Sequence, residues 1–298
     1  MTVPTIAVFT KNRSNPAYAA ARLGADRAAQ RLGARTVHYV PGKPDDAQEQ
    51  IALIDEALAA RPDAVVLVPV HPTAVNAAIR RIHTAQVPIV GFINRFTEPA
   101  TLTSFVTSAD YPLAFDVATH LCRHLEGRGA IVIVAGSRES VTSIERVRGF
   151  RDAIDRFPGL RVATTIYGNY QHGDTLQAGT ELMQSGIGCD AILAANDVMA
   201  LAMLEVLAVA GRTCVVTGIN AVPDAIEEIK HGHMLATADF DAMKMGCIAT
   251  EAAVRHLRGE SVPVEILLPV QVVTGENCAQ WDQPFEEREC PQWDQVIR

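Results

Sequence analysis

The stretch AVVLVPVHPTAVNAAIRRIHTAQVPIVGF at 64–92 decides the fold. Ala64–Val68 is an unbroken apolar run of strand length, Thr73–Ala85 reads as helix, and Pro88–Phe92 returns to β-favouring residues. A strand without polar alternation is one buried on both faces, which is the condition of a parallel sheet covered by helices. Strand, helix and strand in that order make one right-handed βαβ unit.

The same rhythm extends in both directions. Upstream, Thr5–Phe9 is a short strand, a helix runs from about Tyr18 to Leu32 and stops at Gly33, Thr36–Val40 is strand, and a helix covers 47–60. The rhythm lapses over 97–112, which is rich in Thr, Ser and Pro, and then restarts. Helices at 112–125, 144–156, 174–185, 197–210 and 222–230 alternate with strands Ala130–Ala135, Val162–Tyr167, Ala191–Ala194 and Cys214–Gly218. A helix at Met243–Arg258 and a strand at Glu265–Val273 complete the series. The first block has too few helices to cover its sheet, so the last helix is expected to pack back onto it. That predicts an α/β chain of two similar parallel-sheet sandwich lobes joined by a multi-strand hinge. The first lobe would take 1–107 with 238–268, the second 108–237 with 269–298.

Composition narrows the function. The chain has 298 residues, 48% of them hydrophobic, and a formal net charge of −8 without a basic arm, so a phosphate backbone would repel it and no nucleic-acid partner is expected. No apolar run approaches the roughly 20 residues that cross a bilayer. The opening MTVPTIAVFT does not form a signal peptide, which leaves a cytosolic protein or a leader outside this sequence. Of six cysteines, Cys122, Cys189, Cys214 and Cys247 fall in helix or strand and read as small buried residues, whereas Cys278 and Cys290 head an internal echo, CAQWDQ at 278–283 and CPQWDQ at 290–295. A Cys278–Cys290 bridge would staple the tail in an oxidising compartment.

Chemistry-bearing motifs are missing. The loop after the first strand, TKNRSNPAY, is not a glycine-rich phosphate cradle, and neither GxxxxGK[ST], GxSxG nor HExxH occurs. No cofactor, metal or catalytic residue is therefore expected. His231-Gly232-His233 reads as a helix stop, and Asn196-Asp197 as a helix cap in which one residue is free for other work.

NPAYAAARLGADRAAQRLG at 15–33, TSADYPLAFDVATHL at 107–121, ERVRGFRDAI at 145–154, AANDVMALAMLEVLAVAG at 194–211 and VTGINAVPDAIEEIKHG at 216–232 occur in that order. Together they make the chain resemble the type I periplasmic sugar-binding proteins, ribose-binding branch, which share their core with LacI-type repressors. The DNA-reading helices of the repressors are absent before residue 5. The resemblance implies a small sugar, polyol or sugar acid held between lobes that close on it, a membrane permease of an ABC importer as partner, a monomer, and a periplasmic or extracytoplasmic location. A cytosolic sensor of the same fold is the alternative, and an α/β enzyme a remoter one.

The resemblance also implies the ligand contacts: Asn15 and Tyr18 in the first loop and helix, Asn94 and Arg95 after the strand at 88–92, and Asp110 where the second lobe begins. It adds Arg146, Tyr170 as a second stacking aromatic, Asn196 (with Asp197 as the cap), Asn220 and Phe240. Three positions depart from the family pattern. Asn stands at 94 and 220 where an acid is usual, and Phe at 240 where Gln is common. With Arg95 and Arg146 kept, such a site carries two more positive charges than usual, and a buried unpaired arginine is costly. Either the ligand brings a carboxylate or Glu139, Asp110 or Asp239 balances the charge internally. A neutral polyol or pentose is the broader expectation.

Overall fold

A computed structural model describes residues 3–98 and 101–297. Met1, Thr2, Pro99, Ala100 and Arg298, which the expected lobe ranges include, lie outside the described residues. The chain separates into two compact units, Met1–Ser108 with Asp241–Leu268 and Phe285–Arg298, and Ala109–Phe240 with Pro269–Pro284.

The first block runs β1 (Thr5–Phe9), α1 (Pro16–Leu32), β2 (Arg35–Tyr39), α2 (Ala47–Ala59), β3 (Ala64–Leu67), α3 (Asn76–Thr84), β4 (Ile89–Phe92) and β5 (Ser104–Ser108). The second runs α4 (Asp110–His124), β6 (Arg128–Ala135), α5 (Val141–Ile154), β7 (Gly159–Tyr167), α6 (His172–Gln184), β8 (Ala191–Ala194), α7 (Asp197–Val209), β9 (Val215–Thr217), α8 (Pro223–Lys230) and β10 (Ala236–Ala238). Then come α9 (Ala242–Leu257), β11 (Glu265–Leu268), β12 (Val272–Thr274) and α10 (Trp293–Val296).

The first unit holds one sheet in the order β11-β5-β4-β3-β1-β2, every pairing parallel. All four residues of β3 are buried, as its unbroken apolar run requires, whereas edge strand β2 alternates. The lapse at 97–112 conceals β5: its SFVTS has too much hydroxyl to be recognised, yet it is buried throughout. The expected strand Glu265–Val273 is two strands interrupted around Pro269, where a ladder donor is lacking. β11 extends the first sheet and β12 the second.

The final helix does pack in the first unit, against α1. The facing surfaces are alanine- and glycine-rich: a Cβ on Gly24 would fall on the backbone of Met243, and one on Gly246 on the carbonyl of Ala21. Helices this close leave no room for a side chain at either crossing position, which explains the small-residue run of α1 that by propensity alone reads only as helix.

The tail corrects the expected lobe boundaries. Residues 285–298 belong to the first unit, not to the second with 269–284. Cys290 is bonded to Cys247 of α9, Arg27 of α1 donates to the carbonyls of Glu286 and Arg288, and Arg255 lies 4.8 Å from the ring of Trp293. The expected Cys278–Cys290 bridge is thereby excluded. Cys278 is a buried free thiol, and the two halves of the CxQWDQ echo anchor to different units. Phe240 also stays with the second unit, since the chain passes into the first at Asp241.

In the second unit the sheet order is β12-β10-β9-β8-β6-β7, parallel except for β10 with β12. β10, three residues long, has no visible sequence signal, and β12 is visible in the sequence only as the end of the single expected strand Glu265–Val273. They exist because the sheet continues past β9, with Ala236 opposite Thr217 on one side and Thr274 on the other.

Candidate functional site

In open α/β sheets, ligand-binding groups gather beyond the carboxyl ends of the strands. Residues expected in the site fall there in both units, and so do several unusual backbone conformations. Ile93, Asn169, Tyr170, Asn220 and Ala221 all have positive φ, and each directly follows β4, β7 or β9 or lies within four residues of it. For a β-branched residue such as Ile93, φ of 64° is a costly conformation that the surrounding structure must enforce.

In the first unit, β1 leads into a polar loop whose first three residues are buried. Thr10, Lys11 and Asn12 are all buried. Asn12 organises the loop: its Oδ1 accepts from the Asn15 amide at 3.0 Å and its Nδ2 donates to Asp45 at 2.8 Å. Lys11 lies 3.8 Å from the same carboxylate. Asn15 caps α1 by accepting from the Ala17 amide at 3.0 Å, and Pro16 suits the first helical position. Tyr18 sits buried in the first turn behind it. Lys11 and Asn12 were missed by sequence reasoning. The available signal was a run of polar residues right after a fully apolar strand.

After β4, Asn94 is half-buried, but Arg95 is placed otherwise than the resemblance implies. It is exposed, donates to Glu265 of β11 at 2.7 Å, and lies 5.2 Å from the ring of Phe105. Its charge already has a partner in the first unit, so it adds no uncompensated cation.

The second unit brings together most of the expected residues. Arg146 of α5 is only 2% exposed. Its Nε donates to Asp110 Oδ1 at 2.8 Å, its Nη1 to the Ala195 carbonyl at 2.6 Å, and its guanidinium lies 4.5 Å from the Phe240 ring. Asp110 opens α4, Ala195 follows β8 and Phe240 follows β10, so one side chain ties three elements together. Tyr170 follows β7. Its ring lies against Gly136, where any Cβ would collide with it, and its phenol is sealed beside Ser140 and Ser143. Burial pushes that phenol up to about 12, so it stays a neutral hydroxyl at any physiological pH.

The expected division of labour between Asn196 and Asp197 is reversed in one respect. Asn196 is the helix cap, its Oδ1 accepting from the Met199 amide at 3.0 Å, while its Nδ2 is buried without a hydrogen-bond partner. Asp197, the first residue of α7, is not the capping residue. It is fully buried and accepts from the Val222 amide at 3.0 Å and the Thr237 hydroxyl at 2.6 Å. Asn220, 8% exposed and with φ of 129°, likewise has a buried Oδ1 without a hydrogen-bond partner. The second unit therefore presents one amide donor and one amide acceptor, both neutral, at adjacent strand ends.

Two substitutions at 196 separate its roles. Asn196→Ala is expected to cost about 1 kcal/mol through the lost cap. Asn196→Asp keeps an acceptor for the Met199 amide but deletes the Nδ2 donor. A thermal midpoint near wild type with weakened ligand binding would identify Nδ2 as the ligand-facing atom, and unchanged binding would remove it from the site.

The family described as "Periplasmic binding protein domain" matches residues 6–261, both units included. The chain belongs to this family. Among relatives of the periplasmic binding protein, the ribose import binding protein of Bacillus subtilis is 26% identical over 271 residues, covering 91% of this chain and 87% of that one. Solute-binding proteins from Actinobacillus succinogenes, with bound D-allose, and Bacillus halodurans, with bound myo-inositol, superpose with TM-scores of 0.87 each at 24% identity. They cover 92% and 94% of this chain and 99% and 97% of theirs. At that identity the structures establish the fold. Family membership makes the protein a non-enzymatic, extracytoplasmic solute-binding protein, and among the described residues no group of His, Cys, Asp and Glu is placed to hold a metal.

Proposed function

We propose that this periplasmic binding protein captures a neutral polyhydroxylated ligand, a sugar or polyol, for an ABC-type importer and its membrane permease. The observation that carries the choice is charge balance. The two buried cations at the strand ends, Lys11 and Arg146, each face a carboxylate of their own unit, Asp45 and Asp110. Arg95 is spent on Glu265. An anionic ligand would have to compete with these carboxylates, whereas hydroxyls match the neutral Asn196 donor and Asn220 acceptor. The named ligands of the relatives, ribose, allose and myo-inositol, are all polyhydroxylated and uncharged. Capture then proceeds by lobe closure, which a ligand favours only to the extent that it binds the closed state better.

A thermal-shift panel of pentoses, hexoses, inositols, linear polyols and the matching sugar acids tests this. A ligand at a hundred times its Kd stabilises the folded state by about 2.7 kcal/mol. Stabilisation by a neutral member, insensitive to salt between 50 and 500 mM, is the expected result. A response confined to the acids would overturn the charge-balance reading.

A further inference from the structure

At the ends of β8 and β9 opposite to Asn196 and Asn220, two cysteines of the second unit stand together. Cys189 precedes β8 and Cys214 precedes β9, neighbouring parallel strands in which Ala191 pairs with Val215. Their sulfurs are 3.2 Å apart, and Cys214 Sγ also lies 3.1 Å from the Cys189 carbonyl. Both are free thiols. Cys214 is partly exposed and, with Asp190 and Arg212, lines a cavity of about 790 Å³ in this unit.

We propose that Cys189 and Cys214 form a second disulfide when the chain meets an exogenous disulfide oxidant. Three observations converge. Closing the bond needs the sulfurs to approach by only about 1 Å, since a disulfide spans about 2.05 Å. The chain already carries one disulfide, Cys247–Cys290, in its other unit, as suits an extracytoplasmic protein. The surroundings also favour a reactive thiolate: the Cys214 thiol and the charge of Arg212 bring Cys189 down to about 7. Arg212 is held nearby by the Ile187 carbonyl, at 3.3 Å.

The chemistry balances without a metal or flavin. The Cys189 thiolate attacks one sulfur of the oxidant's disulfide and releases the other as a thiolate, leaving a mixed disulfide. Cys214, losing its proton, attacks the Cys189 sulfur and expels the second half of the oxidant. Two protein thiols are oxidised by two electrons, and the oxidant's disulfide is reduced to two thiols that take up the two protons. The new bond would tie β8 to β9 across a separation of 25 residues, enclosing α7 and the strand end that carries Asn196.

The test uses the full chain, treated with glutathione disulfide, denatured, and alkylated without reduction. Of six cysteines, four are free beside the Cys247–Cys290 bridge, so the count is expected to fall to two, Cys122 and Cys278. Digestion is expected to yield a linked pair of peptides containing Cys189 and Cys214. Four alkylated thiols after the same treatment would overturn the proposal, as would a linkage of Cys214 to any other cysteine. A Cys189→Ser/Cys214→Ser variant supplies the second readout. Oxidised wild type should melt roughly 5–10 °C above it, with the gap closing in dithiothreitol, because the bridge acts by restricting the unfolded chain. An equal midpoint for oxidised wild type and variant would also count against the bond.

Discussion

Replacing Arg146 by alanine is expected to lower the thermal midpoint by roughly 10 °C and to weaken ligand binding about a hundredfold. The stability loss follows from what the guanidinium leaves behind. Asp110 and the Ala195 carbonyl would lose their donor inside the second unit, at a residue only 2% exposed. Breaking a buried pair by removing one partner costs about 3–5 kcal/mol, and Asp110, whose side chain is 14% exposed, loses its counter-charge. At about 2–4 °C per kcal/mol, the midpoint shift follows. The Phe240 ring loses its stacked cation as well.

Two further variants separate stability from recognition. Arg146→Met with Asp110→Asn removes both charges while keeping volume, and a neutral pair in place of an ion pair should recover much of the midpoint. It should not recover affinity if the guanidinium also donates to the ligand. A single alanine variant that melts like wild type would refute the ion pair. Binding at wild-type strength in that variant, titrated calorimetrically against the best ligand of the panel, would remove Arg146 from recognition and leave it a purely structural role.

Where the fold was legible, the reason is periodicity. AVVL at 64–67 and IVIVA at 131–135 are apolar throughout because both faces of a parallel sheet are covered, and their alternation with helices marks them as strands of such a sheet. β5 was hidden because its buried hydroxyls find partners outside the strand: Ser104 donates to the Pro263 carbonyl and Thr107 to that of Ile93. Hydroxyls buried in this way look like loop composition when partners far along the chain are unknown. The disulfide was misassigned for a related cause. The CxQWDQ echo is a local signal, but Cys247 lies in mid-helix, and only tertiary packing of the tail on α9 brings Cys290 to it. The placement of the candidate residues was more legible than their partners. That Asn220 lies at a strand end could be read from the sequence, whereas the partner of Arg146 could only be narrowed to three acids, since Asp110 is 36 residues away.

Asp197 illustrates that limit and yields the second large effect. Asp197→Ala is expected to cost about 4 kcal/mol and, if the proposed site is right, to weaken binding although the carboxylate sits behind the loop that carries Asn220. The Asp197 amide donates to the Ile219 carbonyl, its Oδ2 accepts from the Val222 amide, and its Oδ1 accepts from Thr237, whose hydroxyl oxygen in turn accepts from the Ala221 amide. Residues 219–222 are thus clamped from one side chain and its own backbone. Within that span Asn220 and Ala221 hold φ of 129° and 49°, conformations that each cost roughly 1–3 kcal/mol and persist only where neighbours impose them. Without the carboxylate, two buried donors lose their acceptor and the loop can relax to ordinary dihedrals, carrying the Asn220 Oδ1 with it. Hydrogen exchange at the Ala221 and Val222 amides should accelerate in the variant while β6 amides keep their protection, which distinguishes a released loop from a globally loosened unit. Asp197→Asn, which keeps one acceptor, should fall between the two. Intact affinity in Asp197→Ala, with those amides exchanging freely, would show that ligand binding does not depend on the strained loop and would take Asn220 out of the site.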